Sequence, residues 1–265
     1  MKTTLAWSFL VLCSLGMLAS SNVWAGALDE ILKRGSLRVG MEPGYMPFEF
    51  TNQLDEIIGF DVDMANHMAE AMGVKLELVS TAWEEIIPAL LAKKFDIIVS
   101  GMTLTQERNL RVNFAEPYIV VGQTVLIRKE LADRVQSYQD LDNPHCTVVS
   151  KIGTPGEVAV KRFMPKATHI FFETEQEGVM EVVEGKADAF VYSSPYNAVA
   201  NARYGKDKLV FLDRPFTYEP LAWAVRKGDY DFINWLNHFL SQIRKDGTYE
   251  RIYHTWFRDD SWLEE

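Results

Sequence analysis

The sequence predicts an α/β protein of two lobes, each a mostly parallel sheet flanked by helices. Strand-like and helix-like segments alternate in β-α-β-α-β order up to residue 100, the order that builds parallel strands with helical crossovers. The same order starts again near residue 146. The stretch 95–100 is apolar at nearly every position, as in a strand covered on both faces.

The elements follow in order. A short strand is expected over 36–40, and Pro43, Gly44 and Pro47 mark the loop after it. A helix follows over 59–73, where Val62, Ala65, Met68, Ala69 and Met72 recur at helical spacing; Asp61 can cap its start and Gly73 stops it. Next come an alternating strand over 74–79, a helix over 83–94 with Ile86, Ile87, Leu90 and Leu91 on one face, and the apolar strand 95–100. The second unit reads as a strand at 146–150, a helix over 153–164, a strand at 169–173, a helix at 175–184 and a strand at 187–191. A late strand over 221–226 is placed to return to the first lobe. The stretch 231–245 is an amphipathic helix with Phe232, Trp235, Leu236, Phe239, Leu240 and Ile243 on one stripe.

Composition narrows the function. The 265 residues carry 27 Lys and Arg against 37 Asp and Glu, a net charge of −10, with 48% hydrophobic and 24% charged residues. That is a globular composition, and its acidic balance argues against binding nucleic acid or an anionic membrane surface. Lys2 precedes an apolar run of about 15 residues, and Val23-Trp24-Ala25 then offers a signal-peptidase site. Residues 1–25 are therefore expected to be a secretory signal peptide, the run being short of the roughly 20 residues that span a bilayer. Leu12 is too bulky for lipoprotein processing at Cys13. The rest of the chain has Cys146 alone, which cannot form an internal disulfide and reads as an inert thiol inside an apolar strand. A periplasmic protein without a lipid anchor is expected.

In an open α/β sheet, ligands sit at the carboxyl ends of the strands. That rule selects 42–48, 80–83, 100–108, 153–157 and 192–196, and two facing lobes would make a cleft of them. Neither a nucleotide-binding glycine loop nor a Gly-x-Ser-x-Gly elbow is present, and the five histidines never fall at metal-ligand spacing. No cofactor, metal or catalytic machine is expected.

Seven blocks in order carry a resemblance. They are Gly59-Phe60-Asp61-Val62-Asp63, the run from Phe95 through Gly101-Met102-Thr103, Thr105-Gln106-Glu107-Arg108, Glu116-Pro117-Tyr118, Ala187-Asp188-Ala189-Phe190-Val191, Asp246-Gly247-Thr248-Tyr249 and Trp256-Phe257. Together they resemble solute-binding protein family 3, the periplasmic receptors of polar amino-acid ABC importers. The resemblance implies a type II-like periplasmic binding protein: residues 26–121 with 220–265 as lobe 1, 122–219 as lobe 2, and two crossing connections near 119–123 and 218–222 as hinges. It implies that Arg108 holds a ligand carboxylate, helped by Ser100, Gly101, Thr103 and the Gly-Thr turn at Thr154. Tyr45, Phe48 and Trp83 would wall the ligand side chain, and Glu42 would meet a basic one. A monomer that delivers a small carboxylate, most often an amino acid, to an inner-membrane ABC permease is the implied role.

Two positions depart from the family pattern. The acid that accepts the ligand ammonium is here Ser193, and the second Thr after the Gly-Thr turn is Pro155, which has no N–H to offer. The ligand is then either a carboxylate without an α-ammonium or an amino acid whose ammonium meets another acid, such as Glu42 or Glu157. Cyclohexadienyl dehydratases resemble the same family, and Glu157 and Glu173 are the candidates for the protonated acid such an enzyme needs. A ligand-sensing subunit for a membrane kinase is the remaining alternative.

Overall fold

Each lobe is built on one five-stranded sheet, and a two-stranded ribbon joins them. A computed structural model describes residues 26–259 and 261–264; the expected signal peptide lies outside the described residues. The chain opens with α1 (Ala27–Arg34), β1 (Ser36–Met41), β2 (Phe50–Thr51), β3 (Ile57–Ile58), α2 (Phe60–Met72), β4 (Lys75–Ser80), α3 (Trp83–Leu91), β5 (Ile97–Ile98), α4 (Gln106–Asn109) and β6 (Asn113–Phe114). It crosses on β7 (Ile119–Val121) and forms β8 (Gln123–Arg128), β9 (Thr147–Lys151), α5 (Pro155–Phe163), β10 (Thr168–Phe172), α6 (Glu175–Val183), β11 (Ala189–Ser193), α7 (Ser194–Tyr204) and β12 (Leu209–Leu212). It returns on β13 (Glu219–Leu221) and ends with β14 (Ala224–Val225), α8 (Tyr230–Lys245) and α9 (Thr248–Phe257).

The sheet orders are β4-β1-β5-β14-β6 and β10-β9-β11-β8-β12. β1 pairs in parallel with β4 and β5, and β9 with β10 and β11. β14 and β8 pair antiparallel with both their neighbours. Four strands of each sheet therefore run the same way, the mostly parallel arrangement expected from sequence, and one strand runs against them. The βαβ crossovers make the parallel strands, but β8 and β14 enter straight from the crossing ribbon and run the other way.

Local signals explain most elements. α2 buries Phe60, Val62, Met64, Ala65, Met68 and Ala69 and ends at left-handed Gly73, whose N–H closes onto Ala69 and Glu70 carbonyls. Asp61 does not cap it. Gly59 holds the cap position, and Asp61 is buried in the first turn, accepting from the Gly101 N–H at 2.7 Å and the Tyr118 hydroxyl at 2.9 Å. α8 buries Phe232, Leu236, Phe239, Leu240 and Ile243, and Trp235 is only half-buried. In the first lobe Tyr118 stacks between Phe60 and Trp223, at 6.0 and 5.3 Å between ring centroids. Cys146 lies just before β9, not within it, and is half-buried.

The ribbon places the strand ends face to face. β7 and β13 pair antiparallel, Glu219 opposite Val121 and Leu221 opposite Ile119. Leu104 N–H donates to the Pro220 carbonyl and Phe216 N–H to the Gln123 carbonyl, which ties each crossing to one lobe.

Candidate ligand-binding site

The first lobe contributes three loops, each following a strand of its sheet. After β1, Glu42 N–H donates to the Ser100 hydroxyl at 3.0 Å, and that hydroxyl donates to Glu49 at 2.7 Å. Ser100 thus braces the loop from behind. After β5, Gly101 holds φ +51°, and a Cβ there would lie 2.3 Å from the Tyr45 ring, so only glycine lets that ring approach. Tyr45 in turn packs on Phe48 at 4.7 Å. Phe48 is fully buried against Phe60 and Phe257, in the core beneath the loop and not on the cleft wall.

The second lobe meets these loops with the turn after β9 and the end of β11. Several contacts cross the cleft. Tyr45 hydroxyl donates to Ser193 Oγ at 2.7 Å, Trp83 Nε1 to the Gly153 carbonyl at 3.0 Å, and Arg108 to the same carbonyl at 3.2 Å. Lys151 forms an ion pair with Glu42. Between them lies a cavity of about 20 Å³, room for a water but not an amino acid, so any such ligand must enter an opened cleft.

Seven of the ten expected residues line that cavity: Glu42, Tyr45, Trp83, Gly101, Thr103, Thr154 and Ser193. Arg108 lines the outer cleft of about 630 Å³, which shares Trp83, Thr103 and Thr154 with the cavity. Its half-buried guanidinium donates to the Thr103 carbonyl at 2.9 Å and lies over the Trp83 ring, 5.1 Å from the centroid. Among the described residues it has no carboxylate in ion-pair range. Burial holds its pKa below the ordinary arginine value.

Further residues line the cavity. Glu175, at the start of α6, reads as one of a solvated acidic run, yet it is buried and pairs with Lys151 at 3.0 Å. Tyr192 hydroxyl donates to it at 2.8 Å. Glu219, on the returning strand, accepts from Gln123 Nε2 at 2.8 Å and from the Thr217 hydroxyl at 2.7 Å. Its pKa is raised by burial, as is that of Glu42. Lys151 closes β9 two residues before the loop chosen from sequence, so extending each strand-end window backwards would have found it.

The two acids considered for catalysis do not reach the cavity. Glu157 lines only the outer cleft, where Lys161 and the Gly153 N–H outweigh burial and hold its pKa below the ordinary value. Glu173 is exposed.

A family model for bacterial extracellular solute-binding proteins, family 3, matches residues 37–259. The structure is similar to that of a proposed ABC-transporter binding component from Wolinella succinogenes complexed with lysine: 56% identity, TM-score 0.86, covering 88% of this chain and 100% of that one. It is also similar to an ancestral amino acid-binding protein, a precursor of cyclohexadienyl dehydratase, at 47% identity and TM-score 0.81, covering 87% and 99%. The cyclohexadienyl dehydratase of Pseudomonas aeruginosa is 28% identical over 255 residues, 96% of this chain and 92% of that protein, and so a more distant relative than these binding proteins.

Proposed function

Because the chain belongs to the bacterial extracellular solute-binding proteins, family 3, we propose that it captures an L-amino acid between its lobes and presents the closed form to an ABC permease. The observation that carries this reading is Arg108. A guanidinium at the cleft with backbone carbonyls and an indole face for company, and no carboxylate partner among the described residues, suits a ligand carboxylate held by its planar fork. Thr103 and Thr154 line the cavity beside it.

The ammonium meets Glu219. Ser193 is neutral, and an enclosed cation needs a counter-charge; Glu219 lines the same cavity, feels the charge of Arg108 and carries a carboxylate braced by Gln123 and Thr217. This favours an amino acid over a carboxylate lacking the amine. Residues 26–121 with 220–265 would move as one lobe and 122–219 as the other, about the β7–β13 ribbon. Binding would shift the population toward the closed form. The signal peptide and a monomeric, periplasmic receptor complete the reading; no helix among the described residues is long and apolar enough to cross a membrane.

A thermal-shift panel of L-amino acids beside their 2-oxo analogues tests it. A ligand at about 100 times its Kd adds roughly 2.7 kcal/mol, a shift of roughly 5–10 °C for a protein of this size. A shift with L-amino acids alone is expected. Equal shifts with the 2-oxo acids would remove Glu219 from the reading, and no shift with any L-amino acid would end it. ATPase stimulation of the reconstituted permease by loaded protein alone tests delivery.

A further inference from the structure

The ammonium of Lys151 is held as a ligand's cation would be. It pairs with Glu42 from the facing lobe and with Glu175 from its own, and it stands 5.8 Å from the centroid of the Trp83 ring. Glu42, Glu175 and Trp83 all line the central cavity. The side chain of Lys151 is 1% exposed, so this is a built arrangement and not a surface pairing. Burial opposes its charge, but Glu175 and Glu42 together more than offset that and raise its pKa.

The geometry points to Lys151 as the specificity-determining residue of the cleft: the chain fills its own cation subsite, and the site takes an amino acid with an uncharged polar side chain. This rests on the amino-acid reading above and names its ligand class. A basic side chain reaching Glu42 and Glu175 finds both carboxylates already paired with Lys151, or must expel a buried ammonium that bridges the cleft to Glu42. Leaving either charge unpaired in the interior is costly. An anionic side chain meets Glu42, Glu175 and Glu219 against a single remaining cation, because Arg108 is engaged by the α-carboxylate. An amide or hydroxyl meets hydrogen-bonding groups of either kind, among them Tyr45, Ser193 and Gln123.

Calorimetry with L-glutamine, L-lysine and L-arginine, on the wild-type protein and on Lys151→Met, tests this. Wild type is expected to bind L-glutamine at least about tenfold more tightly than either basic amino acid. Lys151→Met is expected to gain about tenfold or more for L-lysine, whose own ammonium then completes the pair, and little for L-glutamine. Should Lys151→Met not fold by circular dichroism, Lys151→Gln reads the same ratio. A wild-type preference for L-lysine or L-arginine overturns the inference, as does a ratio that the substitution leaves unchanged. In both cases the amino-acid reading stands. Failure of wild type to bind any L-amino acid overturns both, and that outcome is visible before any variant is made.

Discussion

The hydroxyl of Tyr45 in one lobe donates to the hydroxyl of Ser193 in the other at 2.7 Å, and both residues are buried. Tyr45 is also the ring that needs Gly101 to have no side chain. One aromatic residue therefore couples the floor of the first lobe to closure of the second.

Tyr45→Phe keeps the ring contacts to Phe48 and Tyr192 and removes only the bond across the cleft. A neutral hydrogen bond is worth about 1 kcal/mol, so apparent ligand affinity should fall roughly fivefold. Ser193→Ala should cost about as much, and the double variant little more than either alone. Calorimetry of this cycle checks it; fully additive losses would mean that the two hydroxyls act separately.

Arg108→Met should weaken binding by about two orders of magnitude or more, since a charge-assisted pair to the ligand carboxylate is lost. The melting temperature of the protein without added ligand should move little, because the guanidinium lacks a carboxylate partner among the described residues. Parallel melts and titrations separate the two effects.

Gly101→Ala should lower stability by about 1–3 kcal/mol, through a strained left-handed backbone and the clash with Tyr45. Gly73→Ala is the control: its φ is +67°, but a Cβ there meets open space. Urea unfolding should show the larger loss at Gly101, and ligand affinity should fall there only.

Stability should decline as pH rises from about 4 through about 7. Burial raises the Asp61 carboxyl from 3.8 to about 7, and burial with the nearby Asp61 charge pushes Glu49 well above its ordinary value. The folded state thus keeps protons that the unfolded chain has already released, so each unit of rising pH in that window favours unfolding. Urea titrations between pH 4.5 and 8 check the slope. Asp61→Asn, which can still accept from the Gly101 N–H, should flatten it.

The repeated alternation of strand and helix determined the α/β class, because periodicity reports which face of each element is apolar. The strand-end rule found most of the cleft for a similar reason: residues following a strand in a βαβ unit emerge at one edge of its sheet. Glu42, Tyr45, Trp83, Gly101, Thr103, Thr154 and Ser193 fall in the segments so selected and line the cavity, though the family resemblance and not the rule singled them out. Phe48 was misplaced because an aromatic residue in a loop reads alike whether it faces cleft or core. The single antiparallel strand of each sheet, β14 or β8, was hidden as well, since strand direction after a crossing is not written in local pattern. What only the tertiary structure decided is the fate of the charged groups. Lys151, Glu175 and Glu219 have the composition of solvated residues, and Asp61 that of a helix cap. Their burial follows from partners far away in the chain, Glu42 being 109 residues from Lys151. A buried charge is tolerable only when its partner arrives from another element, and that condition is met by tertiary contacts, across the lobes for Lys151 with Glu42 and within one lobe for Lys151 with Glu175 and for Asp61, not by any local run of sequence.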